Sequence, residues 1–471
     1  MLRPLARWSA VLLAGVSASF TSAAEQPNLI FILADDLGYG ELGCYGQTLI
    51  ATPELDRMAE EGMRFTQFYA GSTVCAPSRS VLMTGQHTGH TRVRGNAGGR
   101  HGAQTLQSDD VTIARVLQQR GYRTGLVGKW GLGLLDEPGE PRSQGFDAYF
   151  GYLHQAHAHN HFPDHLWRDG ERVALQNDLV QVGPVEGVGY ATRPVQYSGD
   201  LFAEEALEFV RANRAQPFFL YLSVITPHAN NERSKELGNG HEVPEFGRYA
   251  DRPWPDTTKG HAAMITRLDA QIGRLFDELQ RLGLDQRTLV IFTSDNGPHK
   301  EGGPEYDPRF FTASGPFRGL KRSLTDGGLR VPLLARWPGQ IPAAAVSPHV
   351  GYFGDFFATF AELAGAPLPP DRDSLSLVPT LLGRDGQAVH EYLYWEFYEG
   401  GASQAVLLHG RWKGLRLSDG DDVILYDLQN DIGETTDVAP AHPELVARIR
   451  EIMRTAHVSN EHWALTPPAK R

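Results

Sequence analysis

Four side chains able to hold a hard cation stand directly after two short apolar runs. Asn28–Ala34 (NLIFILA) is followed at once by Asp35-Asp36, and Thr288–Thr293 (TLVIFT) by Ser294-Asp295-Asn296-Gly297. Three carboxylates and one amide oxygen packed together are costly unless a cation lies between them, and an oxygen-only set selects Ca²⁺ first and Mg²⁺ second. A single Asp after a strand is commonly a cap or turn residue, but two such pairs shift the balance toward metal. A third run, Pro217–Ile225, ends in Thr226-Pro227-His228, and an imidazole titrates close to working pH. The segment Cys75-Ala76-Pro77-Ser78-Arg79 reads as a helix start. Free N–H groups and the helix dipole there favour a thiolate or an anionic oxygen, which makes Cys75 a candidate nucleophile with Arg79 one turn on. The other cysteine, Cys44, offers the alternative of an ordinary disulfide with Cys75.

The elements that must carry these residues are an α/β set. The three runs are continuous, apolar and β-branched, as strands buried on both faces are. Ile265, Leu268, Ile272, Leu275 and Leu279 recur at alternating spacings of three and four, one stripe of a helix facing a sheet. Further helices are expected over Glu54–Glu61, Ser78–Met83, Ile113–Arg120 and Leu201–Asn213. In an open parallel sheet ligands bind beyond the carboxyl ends of the strands, so the three polar strand ends converge on one edge. After about residue 385 the texture changes to short strands at hairpin spacing, Tyr392–Phe397, Ala405–His409, Trp412–Leu417 and Val423–Tyr426, then a helix over Pro443–Thr455. The predicted architecture is therefore a large, mixed but mainly parallel sheet sandwiched by helices over 25–385, with a smaller antiparallel α+β subdomain over 386–471. The seam falls near Pro367-Leu368-Pro369-Pro370 and Gly383–Gly386.

With 471 residues, 41% hydrophobic and 21% charged, the chain can bury a large core and is neither disordered nor coiled coil. A formal charge of −12 gives no basic surface for a phosphate backbone, so nucleic acid is not an expected partner. Residues 1–24 read as a cleaved export signal: Arg3 and Arg7, a short apolar run, then Ser22-Ala23-Ala24. No later segment is long enough to span a membrane, so the expected location is periplasmic or secreted.

The sequence resembles the type I sulfatases of the alkaline-phosphatase-like superfamily over nearly the whole mature chain. The family's C-x-P-S-R signature stands as Cys75–Arg79, continued by Ser80-Val81-Leu82-Met83-Thr84-Gly85. Its metal pairs stand as Asp35-Asp36 and Asp295-Asn296, its G-K-W segment as Gly128-Lys129-Trp130, and its late glycine-rich segment as Arg318-Gly319-Leu320-Lys321 with Gly327-Gly328-Leu329-Arg330-Val331-Pro332. The resemblance implies that a formylglycine-generating enzyme converts Cys75 to formylglycine, whose hydrated aldehyde is the nucleophile, leaving Cys44 unpaired. It implies Asp35, Asp36, Cys75, Asp295 and Asn296 as the metal set and an arylsulfatase-like hydrolase of sulfate esters, with a sulfated carbohydrate as substrate. Arg79 and Lys129 would hold the formylglycine, while His228 and Lys321 would bind sulfate and help protonate the departing sugar oxygen.

One position departs from the family. A His commonly stands two residues after the G-K-W lysine, where it deprotonates the second hydroxyl of the hydrated aldehyde; here it is Gly131. His228 or His101 are the candidates to replace it. For substrate contact, the expected residues are Arg94 and Asn96, with Arg92, after the modification helix, and His154, His157 and His159 from the His-rich stretch His154–His165. The alternating histidines there could also bind a transition metal, a weaker reading than a sugar pocket. The loop 230–256 is long enough to serve as a specificity lid. Two alternatives remain open at this point: a phosphoester or phosphonate-ester hydrolase of the same superfamily, and a non-catalytic sulfated-glycan binding protein, the latter motivated by Gly131.

Overall fold

The computed structural model describes residues 26–96, 104–399, 401–459 and 462–465. The export signal read at 1–24 and His101 lie outside the described residues. In chain order, β1 (Asn28–Asp35), β2 (Met63–Tyr69), β3 (Arg123–Lys129), β4 (Ala148–Tyr152), β5 (His165–Arg168) and β6 (Glu171–Ala174) enter the main sheet. A separate hairpin of β7 (Asp178–Gln181) and β8 (Gly189–Arg193) follows, and β9 (Phe218–Pro227), β10 (Thr288–Ser294), β11 (Leu333–Arg336) and β12 (Ala345–Tyr352) return to the main sheet. Its order is β12-β2-β11-β10-β1-β9-β3-β4-β5-β6. The central strands β10, β1, β9, β3 and β4 pair in parallel, so their carboxyl ends emerge along one edge. Strand β11 runs antiparallel to β10 and β2, and β5 and β6 close the far side as antiparallel strands. This is the mixed, mainly parallel sheet that the apolar runs predict.

Strand β1 shows why those runs carry no polar face. Leu29, Phe31 and Leu33 enter one hydrophobic core, and Ile30, Ile32 and Ala34 enter the other, on the opposite face of the sheet. Each fully buried Leu, Ile or Phe side chain contributes ~1.5–3 kcal/mol. The helix Asp256–Arg281 lays Ile265, Leu268, Ile272, Leu275 and Leu279 on the second core. It begins well ahead of that stripe because its first turns bury Thr257, Thr258, Gly260 and His261 beside His241, contacts that apolar periodicity does not register. The helix expected at Ser78 starts at Cys75 and runs to Thr84, with every residue buried. Pro77 fits inside its first turn because the first N–H groups of a helix have no intrahelical partner.

The C-terminal strands are β13 (Tyr392–Phe397), β14 (Ser403–Leu408), β15 (Trp412–Arg416) and β16 (Ile424–Asp427), an antiparallel sheet backed by the helix Pro443–Thr455. Leu393, Trp395, Ala405, Leu407 and Leu415 join the main core, while Tyr394, Val406, Leu408 and Leu425 meet the helix. Trp395 Nε1 donates to Ala70 O at 2.9 Å, and Lys413 Nζ is buried 2.6 Å from Asp326 Oδ1. Two faces buried in this way leave the small sheet fastened to the large one. Among the described residues, no helix is long and apolar enough to cross a membrane.

Candidate active site

The parallel edge gathers the predicted chemistry. Asp35 ends β1, Lys129 ends β3, His228 follows β9 and Asp295 follows β10. Asp35, Asp36, Arg79, Asp295 and Asn296 are fully buried, and Cys75, Lys129 and His228 nearly so. Cys75 Sγ lies 3.2 Å from Asp35 Oδ1, and Lys129 Nζ lies 2.7 Å from Asp35 Oδ2. Arg79 Nη2 reaches Asp295 Oδ2 at 2.8 Å, and its Nη1 donates to Lys129 O at 3.0 Å and to Ser223 Oγ. The close approach of β3 to β9 requires glycine at position 128: φ is +109°, and a Cβ there would lie 2.0 Å from Ser223 O. Lys321 Nζ donates to Asp36 Oδ2 at 2.8 Å, to His228 Nε2 at 3.1 Å and to Glu301 Oε2 at 3.1 Å.

These contacts set the protonation states. Burial works against the Asp35 carboxylate, but the Lys129 and Arg79 charges hold it well below the usual carboxylate range. Burial and the neighbouring Asp35 charge push Asp295 up to about 7. Burial and the Asp35 carboxylate raise the Cys75 thiol well above its ordinary value, so the unmodified side chain is a thiol and not a thiolate. His228 is held neutral by burial and by the Lys321 ammonium. Its Nδ1–H donates to Ala229 O at 2.7 Å, which leaves Nε2 as the acceptor facing Lys321.

The donor set fits a hard divalent cation. Asn296 Nδ2 donates to Asp36 Oδ1 at 2.7 Å and to Gly297 O at 2.9 Å, while its Oδ1 is buried and has no hydrogen bond among the described residues. Asp36 sits in the left-handed region at φ +66°, a conformation that Asp tolerates better than most residues, with its N–H donating to Asp295 Oδ1 at 3.1 Å. Asp35, Asp36, Cys75 and His228 offer ligand atoms within 4.8 Å of one another. An orphaned amide oxygen among three buried carboxylates is the donor chemistry of Ca²⁺ or Mg²⁺.

Several expectations need correction. Both cysteines are free, so the disulfide does not form. Cys44 lies beside Asp56, and burial with that carboxylate pushes its thiol up to about 12. Arg94 does not face the site: it is buried against the C-terminal unit, 3.3 Å from Glu396 Oε2 and 3.0 Å from Val458 O. Arg92 is taken by Asp109 and Asp110 at the surface. His157 is buried 4.4 Å between ring centroids from His165; His157, Asp164 and His165 offer ligand atoms within 4.8 Å of one another, and the Arg172 guanidinium faces Asp164 and His165. The other two histidines fare differently. His159 stacks on His228 at 4.9 Å and meets Glu232 Oε2 at 3.1 Å, while His154 and Asn96 line one cavity beside Ala76. In the segment 230–256, Asn231–Leu237 forms a helix and Glu242 is buried, accepting from Asn230 Nδ2 at 2.8 Å and from His161 N at 3.2 Å. Ser223, Glu301 and Glu232 escaped the sequence reading because each acts through a partner distant in the chain.

Comparison with known proteins gives the family. The Sulfatase family model matches residues 27–366, and the model of the N-sulphoglucosamine sulphohydrolase C-terminal region matches 318–458. Mouse steryl-sulfatase is 31% identical over 94% of this chain and 83% of its own length. Rat N-acetylgalactosamine-6-sulfatase is 34% identical over 83% and 71%, and N-acetylgalactosamine-6-O-sulfatase of Bacteroides thetaiotaomicron 30% identical over 92% and 93%. Among solved structures, Ps i-CgsB in complex with k-i-k-neocarrahexaose superposes with a TM-score of 0.75 at 26% identity, covering 92% of this chain and 93% of that one. Taken with the buried Cys75, its carboxylates and the flanking lysines, these matches place the chain in the sulfatase family, the sulfuric ester hydrolases of the alkaline-phosphatase-like superfamily.

Proposed function

We propose that this chain is an exported, formylglycine-dependent sulfatase that removes sulfate from a sulfated carbohydrate. The observation that carries this reading is Cys75 Sγ set against Asp35 at a helix start, with Lys129 on one side and Lys321 with His228 on the other. The catalytic unit is read as 25–385, braced by 386–471. For the sugar, the named N-acetylgalactosamine-6-sulfatases among the relatives support a hexosamine 6-sulfate.

Asp35, Asp36, Asp295 and Asn296 would hold the Ca²⁺ or Mg²⁺ ion. When present, formylglycine at position 75 supplies an oxygen nucleophile and the cation supplies positive charge toward the sulfuryl oxygens. The protein's own groups do the remaining work. Arg79 and Lys129 fix Asp35 and keep it ionised, and Lys321 adds a second positive charge where negative charge spreads in the transition state. The departing alkoxide of a sugar needs a proton. Lys321 carries one directly against His228 Nε2, so the pair can deliver it to the leaving oxygen.

His228→Ala is therefore expected to lower kcat on a sugar sulfate by ~10²–10⁴-fold and on an aryl sulfate far less, because a phenolate leaves with little help. The ratio of the two kcat values is the readout, and equal losses on both esters would remove the proton-delivery role. The reading as a whole is tested by comparing sulfate release from N-acetylgalactosamine 6-sulfate and 4-methylumbelliferyl sulfate with phosphate release from 4-methylumbelliferyl phosphate. A clear phosphate preference would move the chain to the phosphoester hydrolases. Binding without sulfate release by fully modified protein would make it a glycan-binding protein.

A further inference from the structure

Position 131 follows Lys129 and Trp130 at the end of β3, and the residue there has no side chain. Gly131 adopts φ +76°, and a Cβ built on it would lie 2.5 Å from Gln155 Nε2 and 2.7 Å from Gln155 Cδ. The Gln155 side chain thus rests on the Gly131 Cα, in the volume that a side chain at 131 would need. The two positions are joined through the backbone as well, Gly131 N–H donating to Leu153 O at 3.1 Å.

Gln155 Nε2 is buried and has no hydrogen-bond partner among the described residues. An amide left so is destabilising, and a group of this kind calls for a partner from outside the fold. The amide borders a cavity of about 110 Å³ lined also by Ala76, Asn96, Thr105, Glu137 and His154. Ala76 directly follows the nucleophile position, and its N–H is taken by Asn96 Oδ1 at 2.8 Å, which leaves Asn96 Nδ2 for the cavity. Among the described residues, the lining holds amides, a hydroxyl, an imidazole and one carboxylate, Glu137. Amides, a hydroxyl and an imidazole suit sugar hydroxyls.

We propose that Gln155 is a substrate-binding residue that donates from Nε2 to a hydroxyl or N-acetyl oxygen of the sugar carrying the scissile sulfate, and that the absence of a side chain at Gly131 is what admits it. The inference rests on the sulfatase reading and refines it to the sugar that the site accepts. It also gives the Gly131 departure a structural meaning: an amide that can bind but cannot take a proton fills the space beside the Gly131 Cα.

The test is competition by N-acetylgalactosamine 6-sulfate against turnover of 4-methylumbelliferyl sulfate, measured for the wild type, Gln155→Ala and the isosteric Gln155→Glu. Gln155→Glu keeps the contact with Gly131 but exchanges the donor for an anionic acceptor, so loss of packing is separated from loss of the donor. Both variants are expected to raise the competition constant about 5- to 30-fold, the range of one lost hydrogen bond, while the KM of the aryl sulfate moves less than about threefold. An unchanged constant in either variant, equal weakening toward both esters, or no competition with the wild type would overturn the proposal. Absence of aryl sulfate turnover by fully modified wild type would instead overturn the sulfatase reading, and this inference with it.

Discussion

Cys75→Ala is expected to abolish sulfate-ester turnover, with a loss of ~10³-fold or more, while the protein folds as before. The argument is one of position. Cys75 opens a fully buried helix and faces Asp35; Ser294, the nearest hydroxyl in sequence to Asp295, is instead tied to backbone, its Oγ accepting from Leu37 N and donating to Asn296 O. Removing a single sulfur from a helix start leaves the apolar cores on both faces of the sheet untouched, so thermal stability should hold. Initial rates on a fluorogenic aryl sulfate check the first half and a thermal melt the second. The mass of the tryptic peptide Phe65–Arg79 accompanies both, because conversion to formylglycine removes one sulfur and two hydrogens and adds one oxygen. Full activity in the alanine variant, or a wild-type peptide carrying only cysteine in active enzyme, would show that the nucleophile lies elsewhere.

Chelation of the divalent cation is expected to cost ~10²-fold or more in activity and to lower stability in a pH-dependent way. A ligand that binds only the folded state stabilises it by about 2.7 kcal/mol at one hundred times its Kd. The pH dependence follows from Asp295, which burial and the Asp35 charge push up to about 7 when no cation is bound. A carboxyl whose folded pKa is raised contributes stability below its unfolded value, and that contribution is lost as pH rises through the folded value. The chelated protein should therefore weaken between about pH 4, the ordinary carboxylate range, and pH 7. A bound cation favours the ionised carboxylate and reverses the trend, so the gain in Tm on adding Ca²⁺ should be larger at pH 8 than at pH 5. A gain that is the same at both pH values would remove Asp295 from the metal set.

Local pattern made much of this molecule legible before any tertiary contact was considered. The strands β1, β9 and β10 stand within a residue or two of their apolar runs, because burial on both faces of a parallel sheet forces continuous hydrophobicity. The C-terminal helix falls at Pro443–Thr455 as read, its Pro at the first position and its stripe of Ile449, Ile452 and Met453 sufficing to place it. The convergence of Asp35-Asp36 and Asp295-Asn296 was legible for the same reason: polar residues that end buried parallel strands have one place to go.

Spatial selection among side chains of one type lay beyond the reach of the sequence. Arg92 and Arg94 are near neighbours in the chain, yet one pairs with surface aspartates and the other is buried against Glu396, far along the sequence. His154, His157 and His159 share one short stretch and separate into a cavity wall, a structural ring contact and a stack on His228. Their destinations depend on how the chain turns after β4, which no periodicity encodes. The sequence alone determined the strands, the carboxylates and Cys75, since each is written in adjacent residues. Only the tertiary structure decided that Lys321 meets His228 and that Gln155 fills the space left by Gly131, because those contacts join segments whose distance in space bears no relation to their distance in the chain.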